Sequence, residues 1–116
     1  MGCIPSEKGV IHMAFLFLGK YEEFAPGMGF DSVEDHIHDK PYDTKQAILR
    51  YLKSGKVHMV TAARIVDIFT GKRTNHQLVH MNDGEYSWNS KLIYYIDEYN
   101  LRLPKEIEDN ILMKAS

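Results

Sequence analysis

The sequence predicts a single α+β domain, a small antiparallel sheet with helices packed against it. Three observations carry that prediction. Helical apolar spacing occurs on both sides of a central run of short β-branched segments, and strong turn signals separate those segments. The chain of 116 residues has room for one core and little more. Its 44% hydrophobic and 26% charged residues are a composition able to build that core.

Residues 1–12 read as an irregular lead and residues 13–116 as the domain. Gly2 and Pro5 suit neither a helix nor a strand interior. The lead also fits the N-myristoylation pattern, with Gly2 as acceptor and Ser6 at the required place, and Cys3 is positioned for a second, palmitoyl chain. In this it resembles the N-termini of dually acylated eukaryotic signalling proteins, which implies a lipid-anchored interaction module and membrane contact only through those two residues. The plain alternative is an unmodified tail, with Met13 as a rival start.

Val10 to Leu18 is short, apolar and bounded by Gly9 and Gly19. Its length fits a strand, whereas Met13, Ala14 and Leu16 fit a helix continuing through Tyr21 and Phe24. The helix is preferred, from about Met13 to a stop at Pro26 and Gly27. Ala25 to Lys40 then reads as a loop with an acidic, histidine-bearing second half. Asp43 or Thr44 caps a helix with Ala47, Ile48, Tyr51 and Leu52 on one face, and Gly55 is expected in the left-handed conformation that closes it.

Val57–Val60, Ile65–Phe69 and Gln77–Met81 read as strands, with a turn at Gly71 and another at Asn82-Asp83-Gly84. Glu85 to Trp88 fits a last strand. Asn89 or Ser90 caps the next helix, whose stripe Leu92, Tyr95, Ile96, Tyr99 has the spacing of one buried face. Asn100 is its C′ residue. Pro104 takes N1 of a final helix carrying Ile107, Ile111 and Leu112.

Asp83, Gly84, Tyr86, Trp88, Tyr94, Tyr95, Tyr99, Leu103 and Pro104, with Tyr51, Leu52 and Gly55 upstream, form a pattern that resembles small bacterial immunity-like proteins of polymorphic or contact-dependent toxin systems. The resemblance spans roughly the last two-thirds of the chain and carries no catalytic residue. It implies a non-enzymatic, cytoplasmic inhibitor of a protein toxin.

Toxins that attack nucleic acid present a basic cleft, so an acidic surface is the expected interface: Glu34, Asp35 and Asp39 in the loop, Asp97 and Glu98 at a helix end. Tyr94 lies off the apolar stripe and is expected as an exposed anchor beside them.

Two other chemistries compete with that reading. His36-Ile37-His38 on an extended chain would point both imidazoles to one side, and Asp35 and Asp39 would complete a site of the kind zinc accepts, making a metal-dependent hydrolase. The third ligand would come from His58, His76 or His80. His76 and His80, with Lys72, Arg73 and Asn75 nearby, would form an acid–base pair if they faced one phosphate. A solvated loop and a half-exposed strand explain the same residues without chemistry.

The balance of 14 basic and 16 acidic residues argues against broad nucleic-acid binding, so no direct nucleic-acid partner is expected. A single cysteine, Cys3, precludes an internal disulfide or a cysteine metal cluster. No nucleophile elbow, P-loop or dinucleotide-binding glycine pattern occurs.

Overall fold

A computed structural model describes residues 16–115, which form one α+β domain. Gly2, Cys3 and the whole expected lead lie outside the described residues. The sheet has four strands in the order β1-β4-β3-β2: β1 (Leu16–Phe17), β2 (Lys56–Val66), β3 (Arg73–Asn82) and β4 (Tyr86–Asn89). Three helices accompany it: α1 (Lys45–Lys53), α2 (Ser90–Tyr99) and α3 (Lys105–Ala115).

The sheet is mixed rather than antiparallel, because β1 joins β4 in parallel, with Leu16 opposite Tyr86 and Phe17 opposite Ser87. The expected helix from Met13 through Phe24 is corrected over its described part. Leu16 and Leu18 donate their N–H groups to Glu85 and Ser87, so the backbone is committed to the sheet and turns after Leu18. Short apolar runs satisfy either period, and here the free edge of β4 selected the strand.

The two strands expected at Val57–Val60 and Ile65–Phe69 are one, β2, and it ends at Val66. Asp67 to Gly71 form the turn instead: Gly71 donates to the Asp67 carbonyl, Asp67 donates back to Lys72, and Gly71 sits at φ +72°. Three register irregularities break the β2–β3 ladder, between Val57 and Met59, Val60 and Arg64, and Arg64 and Val66. Such bulges bend and twist a strand. Beyond them, the distal end of the hairpin packs on α2, where Ile65 is buried.

The core lies between the sheet and the helices and centres on Trp88, Ile48, Leu52, Leu92, Tyr95, Ile96 and Ile111. Burying a Leu or Ile side chain stabilises by about 2 kcal/mol, so this layer supplies most of the drive to fold. The Trp88 indole N–H donates to the Leu52 carbonyl at 3.2 Å, tying β4 to the last turn of α1.

Gly55 is explained by the same ring and not by a left-handed cap. It is absent from the positive-φ glycines, and a Cβ there would lie 2.4 Å from Trp88 Cζ2. The helix ends on Ser54, whose N–H bonds back to Arg50 and Tyr51.

Thr44 does precede α1, without a side-chain cap. Asn89 caps α2 through its side chain on the Lys91 N–H, and Asn100 is left-handed at φ 56°, both as the sequence predicts. The Pro104 carbonyl accepts from Ile107 and Glu108 and opens α3.

Candidate functional site

Asp67, Asp83 and Glu108 are carboxylates built into the structure. Asp67 follows β2 and is only 3% exposed. One oxygen accepts from the N–H groups of Phe69 (2.7 Å) and Thr70 (3.1 Å), which shapes the turn. The other accepts from the hydroxyls of Tyr94 and Tyr99, each at 2.6 Å. Burial opposes ionisation of this carboxyl, but the two hydroxyls and two amides outweigh it and hold Asp67 below the usual carboxylate range.

Its partners respond in kind. Tyr99 is pushed up to about 12, first by its bond to Asp67 and then by burial. Tyr94 is raised, by burial and by the same bond. Between them the Tyr95 hydroxyl accepts from Ile68 N–H and donates to the Val66 carbonyl. Tyr94 is therefore half-buried and committed to Asp67, rather than a free anchor.

Asp83 repeats the pattern at the β3–β4 turn. It accepts from Glu85 and Tyr86 N–H and, at 2.6 Å, from the Tyr51 hydroxyl. Burial raises its carboxyl, and those bonds together with Lys114 more than reverse the effect. Glu108, the third, is buried in α3; it pairs bidentately with Arg102 and accepts from Leu103 N–H.

The expected acidic residues are arranged differently. Ser32 caps a 3₁₀ turn over Val33–His36, which presents Glu34 and Asp35 outward. The chain then crosses to the C-terminal end of α2: His38 N–H donates to the Tyr99 carbonyl, and the Asn100 side chain donates to the His38 carbonyl. Arg102 N–H closes the joint on the His36 carbonyl.

Lys45, buried in α1, caps the same helix end, its ammonium donating to the Asp97 carbonyl (2.9 Å) and Asn100 Oδ1 (2.8 Å). A cation at a helix C-terminus offsets the negative end of the dipole. The joint thus brings the loop bearing Glu34, Asp35 and Asp39 against the turn bearing Asp97 and Glu98. All five are exposed, and among the described residues none of the five carboxylates enters an ion pair or a side-chain hydrogen bond.

The histidines do not converge. His36 lies at the end of the 3₁₀ turn with Nε2 3.0 Å from Asp31, so the extended His-x-His geometry is not adopted. His38 is exposed in the joint. The His76 ring lies against Tyr94, 5.2 Å between centroids, while His80 stacks on His58 at 6.3 Å. Among the described residues no group of three His, Cys, Asp or Glu side chains is placed to hold a metal ion.

A hollow of about 440 Å³ is lined by Tyr51, Gly55, Asn82, Asp83 and Gly84, but its carboxylate and phenol are already bonded to each other. No described helix is long and apolar enough to cross a membrane.

Sequence reading missed Asp67 and Lys45. A lone acid inside Ile65-Val66-Asp67-Ile68-Phe69 is the signal of a paired, buried carboxylate. A lysine opening a helix, where the dipole disfavours it, is the signal of a cation serving another element. No family model, curated protein or solved structure matches the chain.

Proposed function

We propose that this protein is a non-enzymatic, cytoplasmic protein-binding domain that inhibits a basic partner, in the manner of an immunity protein covering the cleft of a toxin. The observation that supports this reading is the acidic joint. Five carboxylates are exposed beside hydrogen-bonded backbone, and none of the five enters an ion pair among the described residues.

Ordered backbone lowers the cost of presenting them, and a like-charged group of this kind favours one class of partner, a surface rich in Lys and Arg. A toxin that binds phosphate offers such a surface, and covering it would exclude the nucleic acid.

The test is association with the proteins encoded beside the gene, measured at two salt concentrations. Neutralising Asp39, Asp97 and Glu98 as Asn, Asn and Gln is expected to slow association about tenfold and flatten its salt dependence. Unchanged rates in that variant would remove the acidic joint from the interface. Failure of any neighbouring gene product to bind would remove the inhibitor reading altogether.

A further inference from the structure

A second hollow, of about 380 Å³, opens where β1, the loop at residues 29–31 and the entry to α3 meet. That volume falls within the range of about 300–1,000 Å³ that small-ligand pockets occupy. Its walls are apolar: Phe17 in β1 and Leu18 just after it, Phe30 from the loop, and Pro104 and Ile107 at the start of α3.

The walls are held in place by bonds made outside the hollow. Leu18 N–H donates to the Ser87 carbonyl, Glu22 N–H to the Asp31 carbonyl, and the Tyr21 hydroxyl to the Arg102 carbonyl. Arg102 N–H in turn donates to the His36 carbonyl. Gly19 lets the Phe17 ring fold back over the chain, since a Cβ there would lie 2.8 Å from Phe17 Cζ. With the walls already fixed, little ordering has to accompany binding.

Lys20, Asp31 and His36 lie at the same hollow, and they are not equivalent. His36 Nε2 is 3.0 Å from Asp31 Oδ2, so these two side chains engage each other. The exposed Lys20 ammonium enters no ion pair or hydrogen bond among the described residues. The hollow thus sets aromatic and aliphatic walls beside one unpaired cation. Its complement is an apolar body carrying one anionic group.

We propose that this hollow binds a small organic acid, with an aromatic body between Phe17, Phe30 and Ile107 and its carboxylate on Lys20. Aromatic walls favour a ring, which packs edge-on or offset against them. A carboxylate meeting an ammonium makes a charge-assisted bond of the stronger kind. One cation, with Asp31 on the same rim, suits a monoanion better than a phosphate, which carries roughly two charges. An amine would find its acid, Asp31, already engaged by His36. The proposal does not rest on the acidic joint, whose carboxylates do not line the hollow.

The experiment is titration of the full chain with phenylacetate, followed by amide NMR. Binding is expected with a Kd of about 1 mM or tighter, within reach of a ligand of this size. The amides of Lys20, residues 29–31 and Ile107 are expected to shift. Phenylacetamide keeps the ring and loses the charge, and phenethylamine reverses the charge. Each is expected to bind at least about tenfold more weakly.

Lys20→Met, at an exposed position, is expected to bring phenylacetate down to the affinity of the amide and to leave the amide unchanged. Phe30→Ala is expected to weaken both ligands, because it removes a wall and not the charge. Fluorescence of the buried Trp88 reports whether each variant is folded. Absence of binding, shifts confined to other elements, or equal binding of phenylacetamide or phenethylamine would each overturn the proposal. So would an unchanged affinity in Lys20→Met, acetate alone binding as tightly, or tighter binding of acetyl-Gly-Phe, whose carboxylate ends a peptide.

Discussion

The hairpin tip around Asp67 and the acidic joint around Asp39 and Asp97 are built from the same functional group and meet on either side of Tyr99. At the tip one carboxylate is buried and accepts four hydrogen bonds, two from backbone and two from tyrosines. At the joint five carboxylates are exposed, and the backbone beneath them makes the hydrogen bonds. The difference separates two uses of negative charge. A saturated carboxylate holds elements together and is not available to a partner, whereas an unsaturated one on fixed backbone is a presented charge. Charge in the sequence is therefore a poor guide to function until its partners are known.

The sharpest way to break the comparison is Asp67→Ala. It leaves two tyrosine hydroxyls and two turn amides without their acceptor, and a loss of about 3 kcal/mol is expected from removing so many bonds at a buried site, seen as a fall in Tm of roughly 15 °C.

Gly55→Ala comes next. Trp88 is 1% exposed and has no room to move from an added Cβ, so overpacking is expected to cost about 2 kcal/mol in denaturant unfolding. Lys45→Met removes the helix cap that supports the joint from below. About 1–2 kcal/mol is expected, with faster amide exchange at His38 and Asn100. At the other extreme, Glu34→Gln with Asp35→Asn is expected to change stability by less than about 0.5 kcal/mol. A large loss there would mean the joint is as structural as the tip.

Titration sharpens the same contrast. Asp67 and Asp83 are held below their ordinary range in the folded chain, so their contribution to stability is complete above the unfolded value of about 3.9 and is lost as pH falls through the lower folded values. Tyr99 and Tyr51 are pushed up to about 12, the first chiefly by Asp67, the second by burial and Asp83. Their contribution is complete below the unfolded value of about 10 and is lost as pH rises toward the folded value. Ultraviolet titration of phenolate is expected to show Tyr99→Phe removing one late step. A step near pH 10 instead would mean that the Asp67 bond does not form.

Much of the second half was legible because its signals are local. Asn89, Asn100 and Pro104 act on backbone groups close to them in sequence. Leu92, Tyr95 and Ile96 need only helical spacing to be buried together, whereas Tyr99, expected in the same stripe, is half-buried and bonds Asp67. The acidic candidates were legible as residues, but not that the His38–Tyr99 bond joins the loop carrying Asp39 to the helix end carrying Asp97 and Glu98. Tyr94 was misplaced because an off-stripe position reads as exposed until a distant carboxylate is known to meet it.

The fold class, the three described helices, the Asn82-Asp83-Gly84 turn and a part of the core, Ile48, Leu52, Leu92, Tyr95, Ile96 and Ile111, follow from the sequence, because periodicity and turn chemistry act within a few residues. Only the tertiary structure decided that Leu16–Phe17 is a parallel strand, that Gly55 serves the Trp88 ring, that Lys45 caps another helix, and which carboxylates remain free. Each of those depends on a partner tens of residues away, and a hydrogen bond or a close contact has no sequence signature until the chain has closed the distance.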